Sequence, residues 1–270
     1  MPSEDRLDPD LIQANLRTKR LGRKVLVYEQ TSSTNDVAAA YARNPAHTGL
    51  VVFAEQQTAG RGRSGARWHS ARGDSLLFSI LLLDCDISNE LLSLTCAVAV
   101  AEALGQVGGC QARIKWPNDI VLDGKKVAGI LVEAKIKNQK SKIKDQTASV
   151  CVIGIGINCH QTVEAFPPEL RATATSLDLA GGTRCQRVTV AKRVLTSLDH
   201  WLRVAERSKK QVIETWSRLS TQLGQRVTLS FNQRRFTGNC IGVDPEKGLL
   251  LQLDRGGVRI FDAAHTHIVK

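Results

Sequence analysis

Apolar residues along this chain recur with two periods, and the changes between them outline its elements. LDPDLIQANLR (7–17) has helical spacing, and KVLVYEQ (24–30) reads as a strand. TSSTNDVAAAYAR follows, where Thr34 or Ser33 is placed to cap a helix through the alanines by accepting from its orphan N–H groups. LVVFAEQ (50–56) and SLLFSILLL (75–83) are β-rich apolar runs. In SNELLSLTCAVAVAEALGQV (88–107), Leu91, Leu94, Val98 and Ala101 share one helical face. ARIKWPNDIVL (112–122) and KVAGILVEAKI (126–136) read as strands around Asp123–Gly124, a strong hairpin dipeptide. ASVCVIGIGIN (148–158) is a buried strand with interior glycines, and helices return at 189–206 and 209–221. Beyond Leu223 come RVTLS, RFTGNCIGV, GLLLQL, GVRIF and THIVK, short β-runs split by turn residues, which predict a small all-β barrel. The expected class is α+β followed by a β module, with no internal repeat.

Composition changes this picture little. The 270 residues are 42% hydrophobic, enough for a packed core, and no apolar stretch has the length a membrane helix needs. MPSEDRLDPDLIQ is acidic and polar, unlike a secretory signal. The seven cysteines are odd in number and form no C-x-x-C, so neither a disulfide framework nor a zinc site is indicated; they read as reduced thiols of a cytoplasmic protein. The net charge of +11 raises nucleic-acid binding as one reading and a solvated basic surface as the other. KIKNQKSKIKD (135–145) holds five of the lysines in an expected hairpin tip. Two tyrosines and six phenylalanines are a poor supply of base-stacking platforms, and the N-terminal segment is too short for a helix-turn-helix, so the solvated surface is favoured.

Candidate chemistry centres on EQQTAGRGRSGARWH (55–69), a loop both glycine-rich and basic. Like charges at this density call for a compensating anion. GRGRSG lacks the spacing and lysine of a Walker A loop, and GIGINC (154–159) is only a partial dinucleotide fingerprint, in which strand glycines signify a bulge or a ligand close to the backbone. His265 and His267 read as surface or half-buried imidazoles, and no G-x-S-x-G elbow is present.

Four segments together resemble the biotin–protein ligase family: TSSTN (31–35), QQTAGRGRSGARW (56–68), KWPNDIVLDGKKVAGILVE (115–133) and VIGIGINC (152–159). Their order and spacing are similar along most of 24–180. The resemblance implies a mixed, mainly antiparallel catalytic domain (1–221) and an SH3-like C-terminal domain (222–270). It looks like the ligase-only form, without the N-terminal winged helix-turn-helix of members that double as repressors, and specific DNA binding is not expected. It implies that biotin and MgATP give biotinyl-5′-AMP, and that biotin then passes to one lysine of a biotin carboxyl carrier protein or carrier domain. No membrane partner is implied, and a homodimer is left open.

The resemblance also assigns roles. Joining the biotin carboxylate to the α-phosphate of ATP brings two anions together, so preorganised cations should dominate catalysis. Arg61 and Arg63 would supply forked donors, with Gly62 letting backbone N–H groups near; the loop should close over the adenylate and be mobile without it. Lys126 would reach both carboxylate and phosphate, whereas Lys125 is the solvated neighbour on the opposite strand face. Ser33, Thr34, Asn35 and Gln57 match polar contacts to biotin, plain helix capping being the alternative for the first three. Gly129 would let the strand lie against the biotin rings, or marks a bulge. Asn158 matches a residue facing adenine, and Lys115 and Asn118 match nucleotide-side positions. Asp119 is a candidate to hold Mg²⁺ through water, or stabilises a turn. Trp68 and Trp116 read as packing residues. Some members stack a tryptophan on adenine from the segment matching ATATSL (172–177), which here has no aromatic. The rival enzyme class is a lipoate–protein ligase or octanoyltransferase, which is less similar around GRGRSG.

Overall fold

A computed structural model describes residues 5–107, 111–136 and 149–269. In chain order the elements are α1 (Pro9–Gln13), β1 (Val25–Tyr28), α2 (Thr34–Ala40), β2 (Val51–Ala54), β3 (Ser75–Leu83) and α3 (Asn89–Gly105). Next come β4 (Ala112–Lys115), β5 (Asp119–Leu122), β6 (Lys125–Ile136), β7 (Ser149–Asn158), α4 (Leu177–Gly181), α5 (Arg187–Arg207) and α6 (Lys209–Leu219). The chain ends in β8 (Arg226–Phe231), β9 (Arg234–Asp244), β10 (Gly248–Leu253), β11 (Val258–Phe261) and β12 (Thr266–Val269). Strands β1 to β7 form one sheet in the order β1-β2-β3-β7-β6-β5-β4, and β8 to β12 a second in the order β11-β10-β9-β8-β12. Among the described strands of the large sheet, β1 and β2 pair in parallel and the other neighbours pair antiparallel. The chain is therefore the expected α+β molecule, with a mixed, mainly antiparallel sheet and a C-terminal antiparallel one.

Period-2 alternation decides what each face of the large sheet carries. Phe78 and Ile80 of β3 and Ile153, Ile155 and Ile157 of β7 all enter the main core. There α3 packs against α5 and α6, buried almost all round rather than on the one face that its leucine spacing predicted. The positions between them point the other way. Leu81, Val150 and Val152 meet Ala38 and Ala42 under α2, and Ser79, Gly154 and Gly156 sit farther along that same face. The glycines of GIGIN are thus spaced to leave room on one side of the sheet while isoleucines fill the other.

Three local expectations need correction. The first helix spans only Pro9–Gln13: Asp8 caps it, accepting from Asp10 N and Leu11 N at 2.8 and 3.0 Å, and Asn15 at φ 57° turns the chain away. ARIKWPNDIVL is two strands, because Pro117 has no N–H for a ladder. Neither Ser33 nor Thr34 caps α2 by its side chain. Gln57 does so from across the loop, its Oε1 accepting from Thr34 N at 2.7 Å and Thr34 Oγ1 at 3.1 Å. The Asp123–Gly124 hairpin forms as read, both residues at positive φ (49° and 77°). Positions 137–145 of the lysine-rich stretch lie outside the described residues.

Candidate active site

The α2 face of the large sheet holds a cleft of about 280 Å³, small for a ligand site. Its floor is the glycine rows of β6 and β7. A Cβ on Gly129 would lie 3.0 Å from the Trp68 ring, and one on Gly156 would lie 2.6 Å from it. The indole of Trp68 therefore rests on the strand backbones, where the sequence led us to expect an apolar ligand. Both tryptophans pack, Trp68 on the cleft floor and Trp116, 1% exposed, in the core.

One wall is the start of α2. Asn35 bonds from Nδ2 to Glu133 at 2.7 Å and accepts from Ser79 Oγ at 2.5 Å, while Ser79 also reaches Thr34 Oγ1 at 2.7 Å. A Cβ at Gly154 would fall 2.3 Å from Asn35 Oδ1, so that glycine is what admits the amide. Thr34 and Asn35 are thus locked by Gln57, Ser79 and Glu133. Ser33 lines the cleft and makes no capping bond.

The opposite wall is cationic. The backbone of Lys126 is bonded to the 173–175 segment on both sides: its N donates to Thr173 O at 2.7 Å and its O accepts from Thr175 N at 2.9 Å. This fixes the side chain over Gly129, with Nζ 2.5 Å from Asp119 and 5.7 Å from the centre of the Trp68 ring. Lys125 is exposed at the hairpin end of β6. Lys115 and Asn118 line the same wall, Asn118 donating to Ile130 O at 2.7 Å.

The arginine loop forms the roof. Gly62 N donates to Ala66 O at 2.7 Å and Trp68 N to Gly60 O at 3.1 Å, closing the loop on itself. Arg61 takes a bidentate grip on Asp36 at 2.7 and 2.9 Å, with Glu133 at 3.5 Å, and the Asp36 hydrogen bonds hold its guanidinium well above its ordinary pKa. Arg63 reaches Asn118 Oδ1 at 3.3 Å and the Ala263 carbonyl. Burial pushes the Arg63 pKa down while Asp119, Glu90 and Asp262 favour its charge. Both arginines border the cleft, yet each is now engaged with protein acceptors.

Of the residues singled out from sequence, Asn158 is not in the cleft lining. It is 5% exposed, and its amide is spent internally, donating to Thr175 O at 2.9 Å and accepting from Gln161 at 3.3 Å. The sequence reading missed Ser79, Glu133 and Asp36, which order the walls, and Thr266 and His267, which bring the C-terminal sheet to the cleft edge. Alternation along β3 and β6 was the signal that could have found Ser79 and Glu133. Nothing local marks His267, because its approach depends on how the two sheets dock.

Residues 27–158 match the model of the biotin/lipoate A/B protein ligase family. The chain is 34% identical over 262 residues to a bifunctional ligase/repressor BirA of Bacillus subtilis, covering 96% of this chain and 78% of that one. It is 31% identical to a biotin–[acetyl-CoA-carboxylase] ligase of Mycobacterium tuberculosis, covering 84% of each. Among solved structures, the biotin protein ligase of Aquifex aeolicus in complex with biotin and ATP superposes with a TM-score of 0.77 at 26% identity, over 92% of this chain and 99% of that one.

Proposed function

This chain belongs to the biotin/lipoate A/B protein ligase family, in its biotin–protein ligase branch, and on that footing we infer that it is an ATP-dependent biotin–protein ligase. The biotin carboxylate attacks the α-phosphorus of ATP, giving biotinyl-5′-AMP and pyrophosphate. The ε-amine of one lysine on a biotin carboxyl carrier protein then attacks the acyl carbon, AMP leaves, and the amine proton is lost. The observation that carries this reading is the convergence of Lys126, the arginine loop and the polar start of α2 on one glycine-floored cleft.

The roles of individual residues follow from that geometry and are our proposal. The biotin rings lie over Gly129 and Gly156, with Trp68 moving aside or covering them, and Ser33 and Gln57 bond the polar end. Lys126 exchanges Asp119 for the carboxylate and α-phosphate, where a compact ammonium follows the growing charge. Arg61 and Arg63 leave Asp36 and Asn118 for the phosphate oxygens, so each has a protein acceptor to return to. Asp119 lines the cleft beside Lys126; one carboxylate beside phosphates is a common Mg²⁺ arrangement, so Asp119 would hold the ion, whose charge would neutralise the phosphates. Lys115 and Asn118 face the nucleotide. Residues 1–221 would hold the catalytic machinery and 222–270 an SH3-like module whose Thr266 and His267 border the cleft.

ATP–pyrophosphate exchange with biotin, lipoate or octanoate tests the assignment. Exchange driven by biotin alone is expected; equal or greater exchange with lipoate would move the chain to the rival branch.

A further inference from the structure

A second cluster of reactive side chains lies outside the cleft, between the end of β7 and the start of α5. The His160 ring is 5% exposed and held at both nitrogens. Nδ1 lies 2.7 Å from Asp178 Oδ2, and Nε2 lies 2.5 Å from Asp5 Oδ2. Asp5 is itself anchored by Arg187, accepting from its backbone N at 2.9 Å and from Nε at 3.1 Å. The other oxygen of Asp178 accepts from Cys185 N at 2.7 Å. Donor atoms of His160, Asp178 and Cys185 all lie within 4.8 Å of one another. The Cys159 thiol, adjacent in sequence to His160, lies on the side facing Cys185 and donates to Ile157 O at 3.6 Å.

An imidazole, a carboxylate and a thiol, with a second thiol beside them, are a poor donor set for Mg²⁺ or Ca²⁺ and a good one for a borderline-soft divalent ion. We propose that His160 Nδ1, Asp178 and Cys185, with Cys159 as fourth donor, form a closed structural site for Zn²⁺. Tetrahedral zinc with its usual bond lengths separates such donors by roughly 3.3–3.8 Å, the two sulfurs the most. On binding, the ring and Asp178 therefore part slightly while the sulfurs draw in. Asp5 occupies the supporting position: accepting from Nε2–H, it fixes the tautomer that leaves a lone pair on Nδ1. Binding displaces the thiol protons, and any proton on Nδ1, to solvent. Four protein donors leave no open position, so the ion would brace the strand end carrying Asn158 against α4 and α5 rather than take part in ligation. Sequence spacing hides the site, because the donors are scattered from 159 to 185 with no short Cys/His motif.

The competing arrangement is a protonated His160 bridging two carboxylates with no metal. Chelator-treated, reduced protein is titrated with Zn²⁺ against a chromophoric chelator, and with Co²⁺ while absorption is recorded. We expect one Zn²⁺ per chain, bound on the order of 100-fold more tightly than by Cys185→Ser, and a thiolate-to-cobalt band that this variant lacks. Zinc binding no tighter than that of the variant overturns the proposal. If Cys185→Ser fails to fold, alkylation of the unaltered protein decides: zinc should protect Cys185 in the mapped peptide, and equal labelling with and without zinc overturns the site. Neither readout depends on ligase activity.

Discussion

Lys126 shows how one side chain can be poised without being buried. Its side chain is 38% exposed and its ammonium is paired with Asp119, so it contributes little to the core. Lys126→Ala should therefore change stability by less than about 1 kcal/mol, while biotin-dependent pyrophosphate exchange falls by about 100-fold or more, roughly 3 kcal/mol of transition-state stabilisation. Exchange at the parent rate in a folded variant would remove Lys126 from the reaction. Arg63 is a different case, since it links the loop to Asn118 and to Ala263 near the second sheet. Arg63→Ala should let biotinyl-AMP escape several-fold faster, as measured by release of labelled adenylate; unchanged retention would contradict a closing role. Sequence reading found both cations because the surrounding motif is distinctive. It could not see that Arg61 pairs with Asp36, two elements away in the chain.

At the scale of elements, alternation does most of the positioning. β6 and β7 send branched residues to the core and glycines to the cleft, so the same strands that stabilise the molecule also form the cleft floor. The α5 helix contributes through Asp199, 2% exposed, which accepts from the N–H groups of Lys19, Arg20 and Leu21 at 3.0, 2.8 and 3.1 Å. Burial alone would raise its pKa, but those three bonds and Arg203 hold it below the usual carboxylate value. A depressed folded pKa gives stability that is fully present above the unfolded value near 4 and lost as pH falls through the folded one. Asp199→Asn should cost about 2–3 kcal/mol at neutral pH and flatten the acid limb of the thermal-unfolding profile. A variant with the parent's acid dependence would show that other carboxylates set it.

For the molecule as a whole, the net charge of +11 is a statement about encounters. Biotin transfer to an acidic carrier domain should slow as salt rises from about 50 to 300 mM, because the Debye length shrinks to under about 10 Å. Adenylate formation measured in parallel should respond less, and a flat transfer profile would exclude steering. What the sequence determined by itself is what depends on local period or on a compact motif: most of the strand and helix succession, the Asp123–Gly124 hairpin, and the motif that holds the arginine loop and Lys126. Only the tertiary structure decided which groups meet: Gln57 capping α2, Trp68 on the glycine floor, His267 at the cleft edge, and His160 with Cys185. The reason is physical. Period and turn chemistry are set by neighbours along the chain, whereas these contacts join residues brought together when sheets and helices bury their apolar faces, and no short stretch of sequence encodes that docking.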